Sequence, residues 1–404
     1  MHAEPTRALH ALSDISAAPP DPILGLTEAF KADPNPSKIN LSVGVFQDET
    51  GRSPVLECVK QAEKRLLESE SSKSYLPIAG DPVYGQQVVR LVFGESVADS
   101  KRIASIHTPG GTGALRVAGD FIRNLLGPRR VWLSDPTWPN HPGIFRAAHL
   151  VTEVYPYFEA TTNSVAYESM REKLAHVPEG DVVVLHGCCH NPSGADLAQE
   201  QWSDLADTLR ARSLVPLVDF AYQGFGDDLE ADAAGVRTLF NAGLDMLVSS
   251  SFSKNFGLYR ERVGTLSVVT ESPDAAARVL SQLKAVVRTN YSNPPAHGGS
   301  IVATILSDAE LTDLWKKELA VMQARIANTR KSFVEGLRKA GAKRDFSFLE
   351  RQKGMFSFSG LNREQVERLR AEHSIYIVGS GRVNVAGITP ANLEYLCNAI
   401  ASVL

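Results

Sequence analysis

No stretch of this 404-residue chain stays apolar for the roughly 18 to 20 positions that a membrane-spanning helix needs. The segment Met1 to Pro20 lacks the apolar core of a secretory signal, and its alanines with a single arginine make a poor transit peptide. Charge of one sign is also missing: 42 basic against 46 acidic residues leave a net charge of −4. That excludes the broad basic surface that nucleic acid or an acidic membrane would require. Cysteine is scarce, with only Cys58, Cys188, Cys189 and Cys397. Four such positions make no disulfide framework, and a bond between neighbours 188 and 189 would be strained. A reducing, cytoplasmic setting is expected. The run His186-Gly-Cys-Cys-His190 lacks Cys-x-x-Cys spacing, and a strand there would send its side chains to opposite faces, so no metal site is expected.

What is present fits an ordinary globular protein: 43% of residues are apolar and 22% charged. The length suggests two domains, each with a real core. Short apolar runs at 130–133, 181–185, 215–218 and 244–249 read as buried strands, and Glu200 to Arg212 reads as a helix between two of them. This alternation predicts an α/β fold with a largely parallel sheet. Arg262 to Val269 is a further strand, at an edge or antiparallel. A helix near Leu115 to Leu126 follows a glycine-rich entry. After Pro294-Pro295 the pattern changes. Ala309 to Lys339 is a long helix, with Trp315, Leu319, Met322, Ile326 and Phe333 close to one face. Strand-like runs at 355–358, 375–378 and 382–385 and a helix from Pro390 to Leu404 complete a smaller α+β block.

Lys254 is the most informative single residue. It lies among small hydroxylic residues in Ser251-Phe-Ser-Lys-Asn-Phe-Gly257, just after a buried strand. A desolvated lysine has a lowered pKa and forms a Schiff base with an aldehyde. Taken alone, it reads rather as a strand-end lysine reaching solvent. Thr108-Pro-Gly-Gly-Thr-Gly-Ala114 opens a helix, where backbone N–H groups and the helix dipole favour an anion. It matches neither a P-loop nor a dinucleotide fingerprint. Asp219 follows an apolar run, at the strand edge where open α/β sheets bind ligands. A carboxylate there suits a pyridinium N–H, or else caps a helix. Asn191-Pro-Ser-Gly194 is turn chemistry, with an amide able to donate to a phenolate.

Taken in order, these segments resemble a class I aminotransferase of the aspartate and aromatic amino acid branch, a pyridoxal-phosphate-dependent fold type I family. The resemblance runs from Asp21-Pro-Ile-Leu-Gly-Leu26 through Gly44-Val-Phe-Gln-Asp-Glu-Thr-Gly51 and Tyr75-Leu-Pro-Ile-Ala-Gly80. It continues through Trp138-Pro-Asn-His141, Asp219-Phe-Ala-Tyr-Gln-Gly224, the Lys254 motif, Asn290-Tyr-Ser-Asn-Pro-Pro295 and Ser380-Gly-Arg-Val-Asn384. It implies an arm over residues 1–14, a large cofactor-binding domain over 51–310, and a small domain made from 15–50 and 311–404. It also implies that Lys254 anchors the cofactor and shuttles a proton. Gly111, Thr112, Ser251 and Arg262 would cradle the phosphate, with Tyr75 supplied by the other subunit of a homodimer. Asp219 would hold the ring nitrogen, Asn191 and Tyr222 the 3-oxygen, and Trp138 would stack on the ring. His141 and His186 would support Asp219. Substrate would meet Gly44, Trp138, Asn191 and Arg382, the last as clamp for its α-carboxylate, and Arg288 from across the interface as clamp for a side-chain carboxylate.

Two arginines suit a dicarboxylic substrate, because a guanidinium pairs bidentately with a carboxylate. The expected activity is amino transfer between aspartate and 2-oxoglutarate. Val45, Thr112 and Asn293 resemble the aspartate-preferring pattern, whereas Gln47, Ser53 and Ser74 depart from it and leave an aromatic or dual specificity open. A decarboxylase or β-lyase of the same fold would not need Arg288. A non-catalytic effector-binding protein would be expected to lose Lys254, Asp219 or Arg382, and all three are present.

Overall fold

The structure, a computed structural model, describes residue 12, residues 15–18 and residues 22–404 except residue 99. The arm expected over residues 1–14 therefore lies, apart from residue 12, outside the described residues, as does Asp21 of the first matching motif.

Seven strands form the central sheet: β1 (Ile103–Pro109), β2 (Arg130–Asp135), β3 (Val151–Pro156), β4 (Val182–His186), β5 (Val215–Phe220), β6 (Met246–Ser251) and β7 (Val263–Val269). Their order is β1-β7-β6-β5-β4-β2-β3. Every pairing is parallel except those of β7, which runs antiparallel to both β1 and β6. Helices Gly110–Phe121, His141–Ala147, Tyr167–Leu174, Gln199–Ala211 and Leu229–Asn241 join the parallel strands in turn. Cover on both faces explains why β4 reads Val-Val-Val-Leu-His without alternation and is buried throughout.

The reversal of β7 shapes the site. Its first residue, Val263, pairs with Pro109, the last of β1, and Gly264 pairs with Ser251, the last of β6. The loop entering β7 therefore arrives at the carboxyl edge of the sheet, where open α/β sheets bind ligands. The packing there is tight. A Cβ on Gly264 would come within 2.5 Å of the Gly110 carbonyl carbon, so only glycine fits.

Several expected elements differ at their ends. The helix anticipated from Leu115 begins at Gly110, because the glycines form its first turn instead of a loop before it; a π-helical turn, Ile122–Leu126, follows its last residue. Strands β2, β5 and β6 run on past their apolar cores into Ser134-Asp135, Asp219-Phe220 and Ser250-Ser251. The strand-like runs at 355–358, 375–378 and 382–385 shorten to Phe356–Phe358, Ile375–Tyr376 and Arg382–Asn384.

The C-terminal block is built on helix Ala309–Lys339, 31 residues and about 46 Å long. Near its start, Trp315 stacks on Phe256 at 4.3 Å and donates its indole N–H to the Asn255 carbonyl at 2.7 Å. Further along, buried Arg330 donates to the carbonyls of Leu349, Gly354 and Phe356 at 2.7 to 2.9 Å and to Ser357 Oγ. Those bonds fix the strand Phe356–Phe358, which pairs antiparallel with Arg382–Asn384. Ile39–Asn40 pairs in parallel with Ile375–Tyr376, bringing the chain after it alongside Arg382.

Candidate active site

A cavity of about 240 Å³ opens at the carboxyl edge of the sheet. Gly44, Gly111, Thr112, Trp138, Asn191, Asp219, Tyr222, Ser251, Lys254, Arg262 and Arg382 all line it. Leu115, Ala221, Ser253 and Phe356 also line it and were not singled out from the sequence. Eleven expected residues from segments far apart in the chain thus meet in one place.

Lys254 sits on the loop between β6 and β7, with Nζ 5.0 Å from the centre of the Tyr222 ring. Burial lowers its pKa to about 8; Asp219 opposes that shift and Arg262 reinforces it. An amine so placed is a ready nucleophile near neutral pH.

Asp219 belongs to β5 and does not cap a helix. The next helix, Leu229–Asn241, is capped by Asp228, which accepts the N–H groups of Glu230 and Ala231. Asp219 lies opposite His186 of β4 and Ser249 of β6 in the sheet register. Burial raises its pKa, but the hydrogen bond and charge of His141, with His186 and Lys254, outweigh burial and lower it. The Asp219 Oδ2 to His141 Nε2 distance is 3.0 Å, and His141 Nδ1 lies 2.7 Å from Thr137 Oγ1. With Asp219 ionised, the proton of this hydrogen bond sits on His141 Nε2. The His186 ring is 5.3 Å from that of His141. Burial first, then His141, pushes its pKa down to about 3, so it stays neutral. Trp138 meets His141 edge-on at 5.3 Å.

The run 186–190 is divided. His186 groups with His141 and Asp219, whereas Cys188 and Cys189 group with Asp232. Burial raises both thiols, Cys189 to about 12. Asp232 accepts the backbone N–H groups of Gly224, Gly226 and Asp227.

At one end of the cavity the helix Gly110–Phe121 begins with no side-chain cap. Gly111, Thr112, Ser251, Ser253 and Arg262 surround that end. Arg262 Nη1 donates to the Tyr259 carbonyl at 2.9 Å and reaches Ser253 Oγ at 3.5 Å. Free N–H groups, hydroxyls and a guanidinium around a helix N-terminus make a site for a phosphate.

At the other end lies Arg382, 2% exposed. It donates to Asn191 Oδ1 at 3.3 Å and to the Ser42 carbonyl at 2.6 Å, and stacks over Phe356 at 4.3 Å. Its Nε has no partner, and among the described residues no carboxylate pairs with it. A buried guanidinium without a counter-charge is costly unless a ligand supplies one. Burial raises the pKa of the neighbouring Tyr222 hydroxyl, keeping it protonated.

Two expected site residues lie elsewhere. Tyr75 is 93% exposed. Arg288 is exposed on the helix Pro273–Asn290, and its Nη1 bonds Ser292 Oγ at 2.6 Å.

Comparison with known proteins fits this geometry. The family model for aminotransferase class I and II matches residues 36–400. The aspartate aminotransferase of Escherichia coli is 51% identical over 393 residues, 97% of this chain and 99% of that protein. An aromatic-amino-acid aminotransferase of Pseudomonas aeruginosa is 47% identical over 391 residues, 96% and 98% of the two chains. A crystal structure of the aromatic-amino-acid aminotransferase of Burkholderia pseudomallei, covalently bound to pyridoxal phosphate, superposes with a TM-score of 0.95 at 49% identity. It covers 98% of this chain and 99% of that one. With its cavity, its buried lysine and a match over nearly its whole length, the chain belongs to the class I and II aminotransferases.

Proposed function

We propose that the chain is an aspartate aminotransferase that uses pyridoxal phosphate to move an amino group from aspartate to 2-oxoglutarate, giving oxaloacetate and glutamate. The observation that carries the reading is the pairing, in one cavity, of the lowered Lys254 amine with the buried, uncompensated Arg382 guanidinium. One gives a nucleophile for an aldehyde, and the other a seat for an α-carboxylate. Relatives 49 to 51% identical and named for aspartate support the substrate.

Bound pyridoxal phosphate supplies an aldehyde carbon and a ring that accepts the electron pair released at the substrate Cα. The chain does the rest. Gly111, Thr112, Ser251 and Arg262 hold the phosphate. Asp219, kept ionised by His141, holds a proton on the ring nitrogen, while His186 stays neutral behind it. Asn191 and Tyr222 would hold the ring oxygen, and Trp138 would pack against the ring. Lys254 Nζ would hold the cofactor's aldehyde carbon and, once free, its amine would carry a proton away from the substrate Cα.

Within the proposal, Tyr75 and Arg288 serve the neighbouring subunit of a homodimer, consistent with their exposure outside their own cavity. Residues 15–50 with 311–404 act as a small domain against 51–310. Four free cysteines fit a cytoplasmic protein.

The 47% identical aromatic relative favours a second reading, an aromatic or dual-specificity enzyme. Steady-state kinetics separate the two. We expect kcat/KM for aspartate to exceed that for phenylalanine by about tenfold or more. The reverse order would replace aspartate as the substrate. Sedimentation of the active enzyme as a monomer would remove Tyr75 and Arg288 from the site.

Lys254 also sets a pH dependence. Only the neutral amine attacks an aldehyde, so attachment of pyridoxal phosphate to cofactor-stripped protein should quicken about tenfold per pH unit below its pKa. The rate should level off above about pH 8. Stopped-flow absorbance measures this, and a rise continuing to pH 10.5, the ordinary lysine value, would mean that burial does not tune the amine.

A further inference from the structure

The roles above leave Tyr259 unused, although it joins the two ends of the cavity. It lies between Lys254 and Arg262 on the loop entering β7. Its carbonyl accepts Arg262 Nη1 at 2.9 Å, and its hydroxyl accepts the backbone N–H of Phe46 at 2.9 Å. Phe46 is buried, two residues beyond cavity-lining Gly44. The Phe46 carbonyl in turn accepts Ser53 Oγ at 2.7 Å.

Backbone bonds hold Leu41 to Tyr376 and Asn384 and Asp48 to Arg52; between them residues 42–47 form neither helix nor strand, and side-chain bonds set their path. Along one edge Arg382 Nη2 donates to the Ser42 carbonyl at 2.6 Å. Asn384 Nδ2 donates to the carbonyls of Val43 at 2.7 Å and Val45 at 2.9 Å, on either side of Gly44. At the far end the Phe46 backbone is held by Tyr259 and Ser53 alone among the described side chains.

We propose that Tyr259 is a positioning residue, fixing the Ser42–Phe46 backbone over the substrate against the loop that carries the phosphate cradle. The proposal rests on the aminotransferase reading. Removing the hydroxyl leaves a buried N–H without an acceptor, which loosens the segment that braces Arg382. Substrate carboxylate binding then suffers. Cofactor binding does not, because the Tyr259 carbonyl still holds Arg262.

The test is Tyr259→Phe in the cofactor-loaded enzyme, beside wild type. We expect KM for aspartate, and the calorimetric Kd of succinate as an unreactive dicarboxylate, each to rise about tenfold. kcat should change less than about threefold, and cofactor affinity should stay within about twofold of wild type. Ser53→Ala should act in the same direction. The double variant should fall short of the product of the two effects, since both hold one residue's backbone. An unchanged succinate Kd, or an equal loss of cofactor and succinate affinity, would overturn the proposal. Wild type that binds pyridoxal phosphate without turning over aspartate would defeat the functional reading instead.

Discussion

Lys254→Ala is expected to lower transamination by at least about 10⁴-fold and to leave pyridoxal phosphate held without a covalent bond. The size of the effect follows from what else lines the cavity. Its other two cationic side chains, Arg262 and Arg382, are guanidinium groups that do not give up a proton near neutral pH. Among the described residues no second primary amine lines the cavity to take over attachment or proton transfer. The cradle residues keep their own positions, so the variant should still take up the cofactor. Borohydride reduction and mass spectrometry would check this: reduced wild type keeps the added mass after denaturation, and the variant does not. Turnover above about one hundredth of wild type would mean that another group moves the Cα proton.

Asp219→Asn is expected to cost about 10³-fold in kcat. Removing one partner of a buried charge pair costs about 3 to 5 kcal/mol, and about 4 kcal/mol corresponds to that factor. The substitution preserves shape and leaves an amide oxygen for the N–H of His141, now 3.0 Å from Oδ2. What it loses is the negative charge that keeps a proton on the ring nitrogen. The fall should therefore appear in kcat, with the cofactor still attached to Lys254. Single-turnover absorbance on the loaded enzyme separates chemistry from binding, and a kcat within tenfold of wild type would show that the ring does not need this charge. The same exchange should make His186 still harder to protonate, because Asp219 partly opposes the fall in its pKa.

Much of the site was legible in the chain because its residues occur in short local patterns. Lys254 stands in a run of small hydroxylic residues, and Gly110 to Gly113 precede an apolar helix. Strand ends were harder. Apolar runs stop at Leu133, Val218 and Leu185, while the strands continue through Asp135, Phe220 and His186, and Asp219 in the second of these extensions lines the cavity. A reading based on hydrophobicity ends where the functional edge begins. Bonds between distant residues left no local trace. The Tyr259 hydroxyl finds Phe46 across most of the large sheet's sequence, and Arg330 is buried on carbonyls that only the fold brings together. Arg382 is marked as a carboxylate clamp by the resemblance, not by its own local sequence. Its significance lies in the lack of a carboxylate beside it, which only the assembled cavity reveals.

The reversed strand β7 also has a consequence for the order of assembly. Among the described strands, β1 has β7 as its sole neighbour in the sheet, with Pro109 set against Val263. On the ribosome, β1 and the glycine-rich start of its helix emerge long before that partner exists. Loop closure over so many residues is slow, and pairings of high contact order form late. The proposed phosphate cradle is therefore expected to be one of the last features to close, after β2 to β6 have stacked in parallel. Fragments that end before residue 263 should bind no pyridoxal phosphate, however much of the remaining sheet they fold.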